Sequence, residues 1–324
     1  MLAKRRGFYR GEKEVIRTPL LLPSFSSKGF PEVQSILAAT EQAIDGEILV
    51  SAYDLHHKKL KGPFDFAQAI FLDSGGYEAS KDLELSDIGT GEHAPAAWSK
   101  QQFAMVLLAW SSPRPTVFIS YDHPNERLPT IEQIKRAEAT LPKGENAFRE
   151  ILFKPESENS PEVNVDAITA NVPMLAGFDA IGVTEKEIGF TLQTRMASVV
   201  KLRRSLDDAG LGNMPIHIFG SLDTISTPLY FVAGADIFDG LTWLRFAYYD
   251  GLTIYRQNYA ALQFGTQMKT HLVDARCWFH NYQYMKEMQL EMRNFLKTQS
   301  FNAFKHHKDL VRRAYQAALE QTGA

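Results

Sequence analysis

Three aspartates that follow apolar runs are the residues in this chain best suited to covalent chemistry. They are Asp73 in AIFLDSGGY (69–77), Asp122 in TVFISYDHP (116–124) and Asp239 in ADIFDGLTW (235–243). A carboxylate can attack the anomeric carbon of a sugar to form a glycosyl-enzyme, while a second carboxyl group carries a proton to and from the leaving group. Such a pair works when its surroundings keep one group ionised and the other protonated. Two other uses stay open, because carboxylates also hold Mg²⁺ and also cap turns.

Glycines and aromatic rings near these aspartates favour a flat organic ligand over a metal ion. The pair Gly75 and Gly76 either permits a tight turn or lets a ligand approach the backbone closely. Tyr77 follows that pair, and Phe219 precedes Gly220 in a later apolar run. Two rings and bare backbone can form a slot for a planar heterocycle, with an aspartate bonding its edge. The alternative is that both rings are core residues.

Eight short apolar runs, most of which end in a polar or glycine-containing turn, predict the strands that position these residues. The runs are 18–26, 47–55, 69–77, 116–124, 149–156, 179–185, 215–221 and 235–243. Their apolar character without strict alternation is typical of strands covered on both faces in a parallel sheet. Five helix-like segments lie between them: 31–44, 95–110, 128–141, 190–210 and 222–234.

This alternation predicts an α/β protein, a (β/α)₈ TIM barrel, because strand count and length both fit. The competing fold is a doubly wound open sheet, which requires a glycine-rich phosphate turn after its first strand. The run LLLPSFSSKGF is followed by no such turn. In a barrel, residues at the carboxyl ends of the strands form the active site, so the three aspartates are expected to face one mouth.

The domain boundary is predicted near residue 254. Residues 1–254 are expected to form the catalytic barrel, and 255–324 a C-terminal helical layer packed on it. The last region contains two charged stretches with helical periodicity, QYMKEMQLEMRNFLKTQ (283–299) and FKHHKDLVRRAYQAALEQ (304–321).

Composition indicates a soluble globular protein in a reducing compartment, and we expect it to be cytoplasmic. The chain has 324 residues, of which 44% are hydrophobic and 23% charged, with a formal net charge of -3. That charge argues against a uniformly basic nucleic-acid binder but allows local basic surfaces. A single cysteine excludes an internal disulfide framework and a multi-cysteine zinc cage. The basic N-terminus lacks a following apolar core, so neither a signal peptide nor a membrane anchor is expected.

Ordered motifs across the barrel region resemble those of the tRNA-guanine transglycosylase superfamily, which includes queuine and archaeosine tRNA-ribosyltransferases. The motifs are LDSGGY (72–77), YD (121–122), IGVTE (181–185), HIFGS (217–221) and GADIFDGLTWLR (234–245). The resemblance implies that guanine in a nucleic acid is exchanged for a free 7-deazaguanine base through a covalent intermediate. It implies that Asp239 attacks the sugar C1′ and that Asp73 is the acid and base for the departing and incoming bases.

The same resemblance implies further contacts to the base and to the substrate strand. Asp122 matches the residue that bonds the guanine edge, and Arg245 matches an arginine beside the strand. The other positions implied for the base pocket are Tyr77, Phe219, Gly75, Gly76, Gly182 and Gly220.

Departures from the family pattern favour DNA over tRNA as the substrate. The tRNA enzymes carry a three-cysteine, one-histidine zinc site after the barrel, whereas this region has only Cys277, with His271 and His280 nearby. No cofactor and no structural zinc are therefore expected. Lys154 stands where the family has a glutamine, which leaves the selectivity for the incoming base open. A compact, zinc-free barrel resembles the members that insert 7-deazaguanine bases into DNA.

Basic residues of the C-terminal region are the candidates for phosphate contacts. Lys286 and Arg293 are the two we single out, and their alternative role is a solvated helix face. The expected partners are DNA or tRNA, a free 7-deazaguanine base and a helper protein that opens a duplex. The alternatives to DNA transglycosylation are action on tRNA, an N-glycoside hydrolase using the same two aspartates, and a non-catalytic barrel subunit.

Overall fold

The chain contains twelve strands within the residues that the computed structural model describes, 1–81 and 93–323. In chain order they are β1 (Gly7–Arg10), β2 (Lys13–Arg17), β3 (Leu20–Phe25), β4 (Ile48–Ser51), β5 (Ile70–Asp73), β6 (Thr116–Ile119), β7 (Ala147–Phe153), β8 (Ala180–Thr184), β9 (Ile216–Phe219), β10 (Ile237–Gly240), β11 (Ala247–Tyr249) and β12 (Leu252–Ile254). Eight of them form a closed barrel in the order β10-β3-β4-β5-β6-β7-β8-β9. The predicted TIM barrel is confirmed, and the open doubly wound sheet is excluded.

Helices alternate with the barrel strands and follow the last of them. They are α1 (Val33–Thr40), α2 (Ala52–His56), α3 (Gly76–Ala79), α4 (Lys100–Ala109), α5 (Thr130–Thr140), α6 (Val165–Ala170), α7 (Leu192–Asp208), α8 (Ser226–Ala233), α9 (Thr242–Arg245), α10 (Arg256–Phe264), α11 (Thr270–Thr298) and α12 (Lys308–Gln321). The last three form the C-terminal helical part that the sequence predicts.

Seven of the eight predicted strand runs contain one barrel strand each, and the run 149–156 overlaps β7, which begins two residues earlier. Each of the five predicted helical segments contains one helix. The barrel strands form where they do because their residues are almost all buried, so that a continuous apolar run is stable only in a covered sheet. Side-chain caps fix some helix starts: Thr191 and Thr194 form a capping box at α7. The chain leaves α8 through Gly234, whose φ of +113° is disfavoured for other residues.

Contacts divide the chain into two compact units. Residues 1–7, 17–23 and 184–324 form the first unit, and 8–16 and 24–183 form the second. The predicted boundary at residue 254 stays a prediction.

The first unit contains a buried ionic network at the start of β10. Asp236 accepts hydrogen bonds from Arg203 Nη2 at 2.7 Å, from Arg6 Nη1 at 3.2 Å and from the Ile216 backbone N–H at 2.9 Å. Both guanidinium groups and the carboxylate are buried. Removing one partner from such a network typically costs about 3–5 kcal/mol, because a buried charge is left uncompensated.

In the second unit, aromatic rings pack the region around the β1 hairpin. The Phe8 ring meets Phe71 and Phe148 edge-on, with centroid distances of 5.9 and 5.4 Å. Phe71 and Phe148 are each the second residue of their strand, so the cluster packs β1 against the amino-terminal parts of β5 and β7.

Within the described residues, every helix is too short or too polar to cross a membrane.

Candidate active site

Asp73 is the last residue of β5, and the turn that follows it has a backbone conformation at position 75 that favours glycine. Its side chain is buried, with 9% of the residue exposed, and Oδ2 accepts a hydrogen bond of 3.1 Å from the Gly75 N–H. Gly75 has a φ of +91°, and a Cβ atom at this position would collide with Tyr53. Gly75 therefore serves the backbone conformation and packing of the turn that presents the carboxylate.

Gly76 has a different role from Gly75, because a carboxylate packs directly against its Cα. A Cβ atom at Gly76 would overlap the side chain of Asp122. Asp122 is 7% exposed, and its Oδ1 accepts a hydrogen bond from Ser74 Oγ. The structure thus joins the ends of β5 and β6 through a side chain, and contact of either glycine with a base stays a prediction.

Lys154 brings a positive charge to Asp122. It directly follows β7, and its Nζ lies 4.0 Å from Asp122 Oδ2. The carboxylate offers hydrogen-bond acceptors and the ammonium offers donors. An acceptor group and a donor group therefore lie side by side at the carboxyl ends of β6 and β7.

Tyr77 lies in α3, and one face of its ring is covered. Lys28 places its ammonium 4.3 Å from the ring centroid and donates a hydrogen bond of 3.2 Å to the Tyr77 carbonyl oxygen. A cation over an aromatic ring is attracted to its electron-rich face. The predicted stacking of a base on Tyr77 therefore requires the opposite face of the ring.

In the first unit, Asp239 is held by a backbone amide and lies beside a histidine. It belongs to β10, is 6% exposed, and its Oδ1 accepts a hydrogen bond of 3.1 Å from the Gly220 N–H. Nε2 of His217 lies 3.3 Å from the same oxygen, and His217 is fully buried at 0% exposure. The hydrogen bond from the Gly220 N–H orients the carboxylate, which is what a nucleophile needs.

His217 also stacks on Phe219, the residue expected to enclose the base. The two rings are 3.8 Å apart between centroids and inclined by 27°. They share a face of β9 because residues two apart in a strand point the same way. The covered face of Phe219 cannot stack on a ligand, so its predicted contact with a base requires another part of the ring.

The other glycines predicted for the pocket lie in or directly after barrel strands. Gly220 has a φ of +78°, a conformation that other residues rarely adopt, and it turns the chain just after β9. Gly182 lies in β8, where it is the register partner of Leu152 in β7. Arg245 is the last residue of α9 and is half-buried in the first unit.

The histidine beside Asp239 and two further acids are functional candidates that the sequence analysis did not single out. Glu78 and Asp54 are both buried in the second unit. Burial raises the pKa of Glu78 and the pKa of Asp54, and the charge of Asp54 adds to the effect on Glu78. The sequence signal that was available is the position of Glu78 five residues after Asp73, in the same short segment.

The residues considered for zinc do not fit a structural zinc site. Cys277 packs in an apolar cluster with Val273 and Tyr259, and burial raises the pKa of its thiol to about 11, which disfavours the thiolate that zinc requires. His280 Nε2 lies 2.7 Å from the Tyr248 carbonyl oxygen, so it is already engaged. In residues 1–81 and 93–323, no group of three or more His, Cys, Asp or Glu side chains is arranged to hold a metal ion.

Lys286 and Arg293 both lie on α11 and are half-buried. The Lys286 ammonium lies 5.9 Å from the centroid of the Tyr282 ring. Their predicted contact with phosphates can be tested by binding.

We expect the double variant Lys286→Ala, Arg293→Ala to bind nucleic acid more weakly and with less dependence on salt. Loss of two phosphate contacts should reduce the slope of log K against log salt concentration by about 2. Fluorescence anisotropy with a labelled DNA oligonucleotide across a salt series measures this slope. Arg312→Ala is the matched control, because it removes an exposed guanidinium from α12 and leaves α11 unchanged. Unchanged affinity at low salt would assign both residues to a solvated helix face.

No protein-family model matches the chain, and a search of curated proteins returned no match.

Proposed function

We propose that this protein is a guanine transglycosylase that exchanges guanine in a nucleic acid, DNA in preference to tRNA, for a free 7-deazaguanine base. The observation that carries the proposal is the pairing of Asp122 with Lys154, with 4.0 Å between Oδ2 and Nζ. Guanine presents two donor groups, N1–H and the N2 amine, beside the O6 acceptor. A carboxylate that accepts from both donors and an ammonium that donates to O6 are the complement of that edge.

The chemistry assigned to Asp239 is attack on the sugar. A carboxylate oxygen forms a bond to C1′ as the bond from C1′ to N9 of guanine breaks, and the electron pair goes to the departing base. The Gly220 N–H bonds the same carboxylate at 3.1 Å and supports the assignment, because it orients a charged oxygen at the carboxyl end of β10.

Asp73 is assigned the proton transfers of both half-reactions. In the first it gives a proton to the departing guanine, and in the second it takes the N9 proton of the incoming base. The N9 lone pair of that base then displaces Asp239 from C1′, so the carboxylate is regenerated and the configuration at C1′ is retained. The position of Asp73 at the end of a strand of a closed parallel barrel supports this assignment, since barrel enzymes carry their reactive groups there.

The preference for DNA rests on the resemblance to zinc-free members and on the poor fit of Cys277 and His280 to a zinc site. The target nucleotide must leave its stack to reach a buried aspartate, at a cost of a few kcal/mol. A helper protein that opens a duplex is part of the proposal for this reason.

Radiolabelled guanine provides the test, with duplex DNA, single-stranded DNA and tRNA as parallel substrates. Label entering single-stranded DNA, with less entering the duplex, supports base exchange on DNA and the need for a helper. Label entering only tRNA moves the substrate to RNA. Release of base without incorporation identifies an N-glycoside hydrolase, and the absence of both overturns the proposed function.

A substitution at Asp122 tests the proposed reading of the guanine edge. Hypoxanthine lacks the N2 amine but keeps O6, so the wild-type protein should prefer guanine by about 1–3 kcal/mol in transition-state stabilisation, the usual worth of one good base contact. Asp122→Asn should bring that preference close to zero. Exchange rates on oligonucleotides that carry guanine or hypoxanthine measure the ratio.

Lys154→Ala is the matched variant for this experiment. Both bases carry O6, so loss of the ammonium should slow both reactions and leave the ratio unchanged. A guanine preference that survives in Asp122→Asn would remove Asp122 from base recognition.

A further inference from the structure

Three consecutive polar residues after β3 bind three different groups behind the Asp73 turn. Ser26 Oγ donates to Glu78 Oε1, and the Ser27 N–H donates to Asp54 Oδ2 at 2.7 Å. Lys28 Nζ donates to the Tyr77 carbonyl oxygen at 3.2 Å. The segment 26–28 therefore anchors both α2, which contains Asp54, and α3, which contains Tyr77 and Glu78.

Glu78 is the residue on which these contacts converge. It is 2% exposed, and its second oxygen, Oε2, accepts a hydrogen bond of 2.9 Å from Ser51 Oγ. Ser51 is the last residue of β4, and Ser26 directly follows β3. Since α3 begins three residues after Asp73, one buried carboxyl group connects the carboxyl ends of β3, β4 and β5.

Ser51 also touches the turn on which Asp73 stands. It is the register partner of Asp73 in the parallel pair of β4 and β5. A Cβ atom at Gly75 would lie 3.2 Å from Ser51 Oγ, so the Gly75 backbone packs against the hydroxyl that bonds Glu78. Gly75 in turn donates its N–H to the Asp73 carboxylate.

We propose that Glu78 is a positioning residue for Asp73: through Ser26 and Ser51 it holds the Gly75 turn in the geometry that aims the Asp73 carboxylate. The role in catalysis rests on the proposed function, whereas the hold on the turn does not depend on it. Glu78 itself transfers no proton to the substrate. Geometry of this kind matters because a misplacement of about 1 Å can cost roughly 100-fold in rate.

The environment of Glu78 explains how a buried carboxyl group is tolerated there. Burial and, to a smaller extent, the charge of Asp54 together raise its pKa from 4.5 to about 7, while the hydrogen bonds from Ser26 and Ser51 lower it. Burial likewise raises the pKa of Asp54 to about 6; the hydrogen bonds from Ser27 and the charge of Lys59 lower it, and the charge of Asp73 raises it. On the α3 side, the Lys28 ammonium bonds the Tyr77 carbonyl oxygen, and His93 Nε2 lies 2.6 Å from the Glu78 carbonyl oxygen.

Two substitutions of Glu78 separate the hydrogen bonds from the charge. Glu78→Gln keeps two groups that can bond Ser26 and Ser51, so its kcat for base exchange should stay within a few-fold of wild type. Glu78→Ala loses both bonds, and its kcat should fall by about 10- to 100-fold with little change in KM. Glu156→Gln and Glu156→Ala are the matched controls, because the Glu156 carboxylate bonds Thr130 and Asn164 and not Ser26 or Ser51. Both controls should retain full activity.

Hydrogen exchange of the Gly75 amide measures the positioning without any substrate. This N–H is bonded to the Asp73 carboxylate, so its protection by NMR should fall about 10-fold in Glu78→Ala and stay unchanged in Glu78→Gln. If Glu78→Ala does not fold, Ser51→Ala removes one of the two bonds and should give a smaller change in the same direction.

The outcomes distinguish the inference from the proposed function. Wild-type exchange activity together with unchanged kcat and unchanged Gly75 protection in folded Glu78→Ala would overturn the positioning role. A wild-type protein without exchange activity would overturn the proposed function, and the Gly75 protection would still decide whether Glu78 holds the turn.

The pH dependence of unfolding provides an independent readout of the buried carboxyl group. The folded protein keeps a proton on Glu78 up to about pH 7 that the unfolded chain releases near pH 4.5. The contribution of this proton to the free energy of unfolding is therefore fully present below pH 4.5 and is lost as the pH rises towards 7. Glu78→Gln has no carboxyl group that can titrate at this position, so it lacks this loss. Its melting temperature relative to that of the wild type should therefore rise between pH 4.5 and pH 7. Equal pH profiles for the two proteins would contradict the burial of an ionisable group at this position.

Discussion

Asp239→Asn should abolish base exchange and also any covalent adduct with the nucleic acid. The amide oxygen of asparagine can still accept the 3.1 Å hydrogen bond from the Gly220 N–H, so the fold around β10 should be preserved. What the variant lacks is a charged oxygen that can form an ester with C1′. Loss of a covalent nucleophile lowers kcat on the order of 10⁶-fold in a well-studied hydrolase, so activity should fall below detection here.

Two measurements on the same samples check this result. Denaturing gels detect an adduct between the protein and a labelled oligonucleotide, which should form with the wild type and be absent in the variant. Thermal unfolding should give nearly equal melting temperatures, which shows that the loss is chemical. An Asp239→Asn protein that still exchanges guanine or still forms the adduct would remove Asp239 from the nucleophile role.

Asp73→Asn should slow exchange of guanine by about 10²- to 10⁴-fold, the range expected when a general acid and base is lost. Asparagine can accept the Gly75 N–H as aspartate does, so the turn should keep its shape. The nucleophile remains intact in this variant. The loss should therefore depend on whether the leaving base needs a proton.

A substrate that carries 7-methylguanine provides that comparison. This base is positively charged and departs as a neutral molecule without protonation, so Asp73→Asn should form the covalent adduct from it at close to the wild-type rate. The adduct should then persist, because the incoming base has no partner to take its N9 proton. Equal slowing on guanine and on 7-methylguanine would show that Asp73 acts in some way other than proton transfer.

The positions of the barrel strands could be predicted well from the sequence. The runs that contain β5, β6 and β10 are apolar and end in polar residues, and such runs are stable only when buried on both faces. The hairpins β1–β2 and β11–β12 and short helices such as α3 were missed. Each is stabilised by contacts with distant residues, as Phe8 of β1 is by Phe71 and Phe148.

The candidate site could be predicted only in part, because a residue type shows what a side chain can do and not what lies beside it. Asp73 and Asp239 could be placed at strand ends, since position in a strand follows from the local pattern. The neighbour of Asp239, His217, comes from the adjacent strand, 22 residues earlier in the chain, and nothing in the run PIHIFGS indicates its partner. The Ser26 and Ser51 partners of Glu78 come from two other strands.

The glycine pair after Asp73 illustrates the same division. The sequence by itself determined that this segment needs backbone freedom, that acids follow buried strands, and that eight such strands can close a barrel, because these properties depend on neighbours in the chain. The tertiary structure decided that Gly75 serves the turn, that the space beside Gly76 holds the Asp122 carboxylate, and that a buried glutamate lies behind Asp73. Those facts depend on distances between residues that are far apart in the sequence, and strand pairing and packing set these distances.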